Sequence, residues 1–431
     1  MNMKQHLILL LVGLTSSCLQ VTQEPTPVDN NKPAERWYKG NLHTHTLWSD
    51  GDAPPEVTVS WYKDHGYNFL TLSDHNILSV GEKWIPASKN NFNLEKLDRL
   101  KAQFGDNSVQ LRSENGSLFM RLKTLEELRE QFQETEQFIL IQAEEITDAF
   151  EKYPVHVNAT NLETVILPRG GTSSYDVMQR NINAVRRQRI ETGRPMVAHV
   201  NHPNFGWGIV AEDLIRLKGD RFFEIYNGHP GVRNWGDPSH PGTDRMWDII
   251  LAMRLARGEE PLYGIAVDDA HAYYKIKVGE SNTGRGWVMV RASQLTAEAI
   301  IKAMEHGNFY ATTGVQVREI DGSQEMLRIA IQAEDGVSYK TQFIGTTRGF
   351  DRSSQPVVNA DGAPEHVSRI YSRDIGQVLL ESDENPAVYK FTGDELYVRA
   401  KIISDRKHPN PFAEGDLETA WIQPVTVSPG R

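Results

Sequence analysis

The chain of 431 residues contains a single cysteine, Cys18, so neither an internal disulfide nor a thiolate-held structural zinc can form. Beyond the N-terminal segment no stretch approaches the roughly 18 apolar residues of a membrane span. Basic residues are in deficit: 46 Lys and Arg against 57 Asp and Glu leave a net charge of −11. A general nucleic-acid backbone binder is thereby excluded, because displacing counterions takes a basic face, although a local basic pocket is compatible. Repeats, low-complexity tracts, a Walker-type phosphate loop and a GxSxG elbow are all missing. What is present is ordinary for a folded chain, 39% hydrophobic and 24% charged, with a length that suggests more than one unit.

At the N-terminus Lys4 precedes the apolar run "LILLLVGL", then small residues and Cys18. This reads as a signal peptide over residues 1–18. "LTSSC" resembles a bacterial lipobox, with Thr15 where that pattern usually has an aliphatic residue. Lipid attachment at Cys18, export and residence at a bacterial cell envelope follow as expectations. Residues 19–35, without hydrophobic periodicity, read as a flexible tether.

From residue 36 short apolar runs alternate with amphipathic stretches. The runs end in "NLHTH", "LSDHN", "QAEE", "PVHVNAT", "VNHP", "EIYNG" and "VDDAH". Helices are expected at 94–104, 124–133, 175–192, 211–218 and 243–258, and in the proline-started, glycine-stopped "PPEVTVSWYKDHG". Only the link from the third run to the fourth is too short for one. The pattern predicts an α/β fold, a distorted (β/α)7 TIM-like barrel whose strand ends converge on one face.

That face gathers metal-ligand chemistry. His43 and His45, two apart, leave one side of a strand and can hold one ion. Asp269 and His271 repeat the spacing, and between these pairs come Asp50, His75, Glu145 with Glu144 beside it, His156, and His202 with His199 three residues earlier. Each piece alone is a common turn or capping feature; joint placement at successive strand ends points to a cluster of two or three divalent ions, zinc, manganese or iron.

"LHTHTLWSDG", "LTLSDHN", "AEEIT", "NHPNF" and "VDDAH" resemble, in order, the motifs of the PHP (polymerase and histidinol phosphatase) superfamily, with the carbaryl-hydrolase-like branch as the nearest comparison. The resemblance covers about residues 37–315 and implies a multinuclear hydrolase, most often of phosphoesters. Its ligand positions fall on His43, His45, Asp50, His75, Glu145, His156, His202, Asp269 and His271. Glu145 is preferred over Glu144 because an aliphatic residue, Ile146, follows it, and His202 over His199 because "NHP" matches the motif.

The expected activity is hydrolysis of a small-molecule phosphoester by a metal-bound hydroxide. His199 and Asp268 are acid/base candidates, and Asn158, Asn204, Asn227 and Arg285 are candidates for orienting substrate. Trp48 and Trp207 could stack on a substrate ring or simply pack. Asp74 and Asp268 could accept the second N–H of ligating imidazoles. His65, His306, His366 and His408 stay outside the site. The alternatives are a carboxylester or carbamate hydrolase on the same site, or a non-catalytic metal- or glycan-binding surface protein. From about residue 316 short strands separated by turns predict a small C-terminal β-sandwich, 316–431, beside the barrel domain, 36–315.

Overall fold

The computed structural model describes residues 34–88 and 92–428. The signal peptide, Cys18 and all but the last two residues of the expected tether lie outside them. No helix among the described residues is long and apolar enough to cross a membrane.

Local signals set the helices. Pro55 opens α1 (Pro55–Asp64), and Gly66, at φ +72°, turns the chain after it. Asn93 caps α2 (Leu94–Phe104), and a reciprocal Thr124–Glu127 capping box starts α3 (Leu125–Phe132). Ser173 caps α4 (Ser174–Thr192), which ends at left-handed Gly193. The shorter α5 (Ala211–Arg216) and α6 (Thr243–Leu255) follow at their expected places.

The strands β1 (Arg36–Asn41), β2 (Phe69–Leu72), β3 (Ile139–Phe150), β4 (Tyr153–Thr160), β5 (Val197–Val200), β6 (Phe222–Asn227) and β7 (Tyr263–Val267) lie side by side in that order. β1, β2 and β3 are mutually parallel, as are β5, β6 and β7. β4 departs from the expected alternation: Glu151 and Lys152 link it to β3 in a tight hairpin, so it runs antiparallel to both neighbours. A two-residue link cannot carry a crossover, which needs a dozen residues or more. His156 therefore reaches the ligand face from the first half of its strand, not from a C-terminal end. No ladder joins β7 to β1, and a single parallel bridge, Thr44 with Ala270, connects the segments that follow them.

The sheet does not stop at β1. β8 (Trp287–Ala292) pairs antiparallel with it, α7 (Ala297–Glu305) returns the chain to β9 (Phe309–Thr312), and β9 pairs with a distal strand, Leu417–Thr426. Thirteen strands are continuous in this way, in a mixed α/β fold whose N-terminal half is mostly parallel. A second, three-stranded sheet, Val317–Gly322, Met326–Ile331 and Ala387–Lys390, shares one apolar cluster with the distal strands, through Leu327, Ile329 and Ala387 on one side and Phe343, Ala400 and Ile422 on the other. Arg399 anchors this region to α6 through a buried two-point ion pair with Asp248, at 2.8 and 2.7 Å. Glu35–Arg431 form one unit.

Candidate metal centre

The turn after β1 is held from below. Asp74 accepts from Thr46 N at 2.8 Å, Thr46 Oγ1 at 2.8 Å and Ser49 Oγ at 2.6 Å, which presents His43 and His45 inward and Asp50 at the rim. Backbone hydrogen bonds from His45 N to Ala270 O and Asp269 N to His43 O set the first and last segments side by side. Three residues at these strand ends hold positive φ without being glycine: Asn76 (+53°), His202 (+20°) and Asp269 (+51°). Such conformations cost of order 1–3 kcal/mol each and persist where surrounding structure enforces them, commonly at functional sites.

All nine residues singled out in the sequence meet. Their ligand atoms fall in three sets, each within 4.8 Å: His45, Asp50, His75 and His271; His43, His45 and Asp269; Glu145, His156 and His202; a fourth such set joins His43 to His199 and Glu224. Glu145 is the hub. Its Oε1 lies 2.9 Å from His156 Nδ1 and 3.4 Å from His202 Nε2, and its Oε2 lies 2.7 Å from His75 Nδ1 and 3.4 Å from His45 Nε2. Glu144 turns the other way and accepts from Ile166 N at 2.6 Å. Burial pushes its carboxyl up to about 8.

One residue the sequence reading passed over organises the centre. Glu224, the lone charge in the buried strand "FFEIYN", accepts from His43 Nδ1 at 2.7 Å, His202 N at 2.7 Å, Asn227 Nδ2 at 2.8 Å and His199 Nε2 at 3.2 Å. With Nδ1 donating to Glu224, neutral His43 must present a lone pair at Nε2. That atom faces His45 Nε2 at 3.0 Å, Asp269 Oδ1 at 3.2 Å and Glu145 Oε2 at 3.5 Å. His271 is arranged alike: Nδ1 donates to Asp269 O at 2.9 Å, and Nε2 faces Asp50 Oδ1 at 3.4 Å. Glu145 Oε2 is fully buried yet has no hydrogen bond of good geometry. Imidazole lone pairs and carboxylate oxygens converging on a buried oxygen that lacks a well-formed hydrogen bond are surroundings suited to a cation, so the donor set fits divalent metal.

Without a cation, protons hold these charges together. Burial disfavours an imidazolium at His43, but Asp269, Glu224 and Glu145 outweigh it and raise its pKa well above the ordinary value. His75 rises to about 10 against its burial, through Asp50 and Glu145. Glu224, also buried, falls to about 2 because His43 and His199 surround it, and Glu145 is held far below the carboxylate range mainly by His43 and His156 despite its burial. Burial and neighbouring His271 lower His45 to about 3.

The remaining expectations are revised. Asp268 accepts from Gly284 N, Arg285 N, Gly286 N and Tyr62 Oη at 2.7–2.9 Å, and so anchors a loop. Neither it nor Asp74 accepts from an imidazole; Glu224 does. His199 is buried beside His43 with Nε2 directed at Glu224. Arg285 is 0% exposed and spends its guanidinium on the carbonyls of Gly228, Glu280 and Lys277. Asn158 donates to Leu42 O and accepts from Asn201, Asn204 donates to Arg233 O and Pro241 O, and Asn227 donates to Glu224 and Asp269. All four spend their side-chain hydrogen bonds on the walls of the site. Trp48 is buried and donates to Lys123 O at 2.9 Å, so it packs. Trp207 stacks on His240 at 3.9 Å.

No family model and no curated protein matches the chain. Several solved structures resemble it, two of them as follows. One is a two-domain protein containing a predicted PHP-like metal-dependent phosphoesterase from Bacteroides vulgatus, 14% identical over 93% of this chain and 99% of that one, with a TM-score of 0.41. The other is a candidate metal-dependent phosphoesterase from Bifidobacterium adolescentis, 12% identical over 57% of this chain and 91% of that one, with a TM-score of 0.28.

Proposed function

We propose that the protein is a metal-dependent hydrolase of small phosphoesters, of PHP type, holding two or three divalent ions. The observation that carries this reading is the convergence of acceptor atoms around Glu145, with the His43 lone pair aimed inward by Glu224. His43, His45, Asp50, His75, Glu145, His156, His202, Asp269 and His271 would hold the ions. Bound there, they would supply Lewis-acid polarisation of a phosphoryl oxygen and a water of lowered pKa. The chain's own residues bind and orient: Glu145 and Asp269 balance cationic charge from the buried side, Glu224 fixes the His43 tautomer, and exposed Asp50, with half-buried His75 and His271, marks the open side where substrate enters.

The same reading includes a barrel closed through the Thr44–Ala270 pairing, a C-terminal sandwich over residues 316–431, and an exported, lipid-anchored chain. The test measures metal content of the purified protein, then hydrolysis of a phosphomonoester, a phosphodiester and a carboxylester with and without chelator. Chelator-sensitive turnover of a phosphoester is expected. Folded, metal-free protein refutes the centre; turnover of the carboxylester alone refutes the phosphoester assignment.

A further inference from the structure

Two rings at the edge of the cluster serve none of the roles above. Phe205, half-buried, lies 5.0 Å between centroids from His202 and 6.2 Å from His156. His229, half-buried, meets Phe205 edge-on at 6.0 Å and 90°, and lies 5.5 Å from His271. The two rings thus line the cluster from His156 round to His271.

His229 is oriented by backbone. Gly231 N donates to its Nδ1 at 3.0 Å, so the hydrogen of the neutral ring sits on Nε2, which makes no hydrogen bond within the described residues. Its own N–H donates to Asn227 Oδ1 at 2.7 Å, and Asn227 in turn donates to Glu224 and Asp269, which ties the ring's position to the centre. The surrounding loop is fixed by Asn204 on Arg233 O and Pro241 O and by Asn234 on Asn227 O. A Cβ at Gly231 would come within 3.1 Å of both the His229 and the Phe205 rings, so that position leaves just the space the pair occupies.

We propose that His229 and Phe205 form a substrate subsite, with His229 Nε2 donating to an oxygen of the phosphoryl group and Phe205 stacking on a planar ring carried by the ester's alcohol. The substrate class is then a phosphoester of an aromatic or heteroaromatic alcohol. This rests on the phosphoester reading above.

The test uses the full chain loaded with manganese and compares phenylphosphonate with methylphosphonate binding by calorimetry. The wild type should prefer phenylphosphonate by roughly 3- to 10-fold, the range of an aromatic pair. F205L should erase that preference, weakening phenylphosphonate more than methylphosphonate. H229F, which keeps a ring but loses the donor, should weaken both ligands by about 10-fold, with metal content unaltered. G231A, which crowds both rings through one added methyl, should weaken phenylphosphonate more than methylphosphonate. Equal affinity of the two ligands for the wild type, or a preference surviving F205L, overturns the subsite and leaves the phosphoester reading standing. Failure of metal-loaded wild type to bind either phosphonate overturns both.

Discussion

Replacing Glu224 with Gln probes the centre at a residue outside the nine ligand-type positions. Its Oε1 faces two imidazole nitrogens, His43 Nδ1 and His199 Nε2, and its Oε2 faces two nitrogens that can only donate, His202 N and Asn227 Nδ2. An amide offers one oxygen. The backbone N–H of His202 cannot change character, so the amide oxygen takes that side and its NH2 turns toward the imidazoles. His43 must then accept at Nδ1 and carry its hydrogen on Nε2, where it no longer offers a lone pair to His45, Asp269 and Glu145. Outer acceptors of this kind typically account for 10- to 100-fold in metal affinity, or about 1.4–2.8 kcal/mol. Metal competition against a chromophoric chelator should show that loss in E224Q. The control is E144Q, equally buried and 22 residues' worth of chain from its one partner, Ile166 N, which an amide oxygen still satisfies; its affinity should stay within about twofold of wild type. An E224Q protein that is folded and binds metal as tightly as E144Q would refute the tautomer argument.

Four further outcomes follow from the same structure. His45→Ala and Asp269→Ala should each abolish turnover with the chain still folded by circular dichroism, and full activity in both would displace the centre. Adding metal to chelator-treated protein near neutral pH should release protons, because His43 and His75 hold them in the metal-free cluster with pKa values above ordinary histidine; a weakly buffered titration with an indicator dye reads this, and zero release refutes it. Glu56 has a carboxyl pushed up to about 7 by burial and an Oε2 without a hydrogen bond. A folded pKa above the unfolded one favours the protonated native state, so this group costs nothing at pH 4, destabilises progressively as pH rises toward 7, and costs roughly 3 kcal/mol above it. E56Q should therefore stabilise the protein in urea at pH 8.5 and not at pH 4, and an equal effect at both pH values would contradict it. Finally, Arg399→Ala leaves Asp248 buried with the Tyr397 hydroxyl but without its cation and should cost about 3–5 kcal/mol in unfolding; a change under 1 kcal/mol would show the pair to be dispensable.

Helices were legible because their ends carry local chemistry: Pro55, Thr124 with Glu127, and Gly193 each act within one turn, so the sequence window contains the whole interaction. The run-by-run reading of strands worked for position and failed for direction at β4, since direction there depends on the length of a link and not on any side chain. The gathering of nine ligand-type residues was legible through their types and spacing. Glu224 was not, although a single carboxylate in "FFEIYN" was a visible signal, because what it does depends on three partners 181, 25 and 22 residues away, His43, His199 and His202. The asparagines show the converse. Asn158, Asn204 and Asn227 are candidates for substrate contact from their place near strand ends, yet a buried amide must find partners within the fold, and their amide nitrogens go to backbone carbonyls and neighbouring carboxylates. Residues left with an uncommitted polar atom at the rim, such as His229, are therefore better candidates for substrate contact than residues chosen by polarity alone.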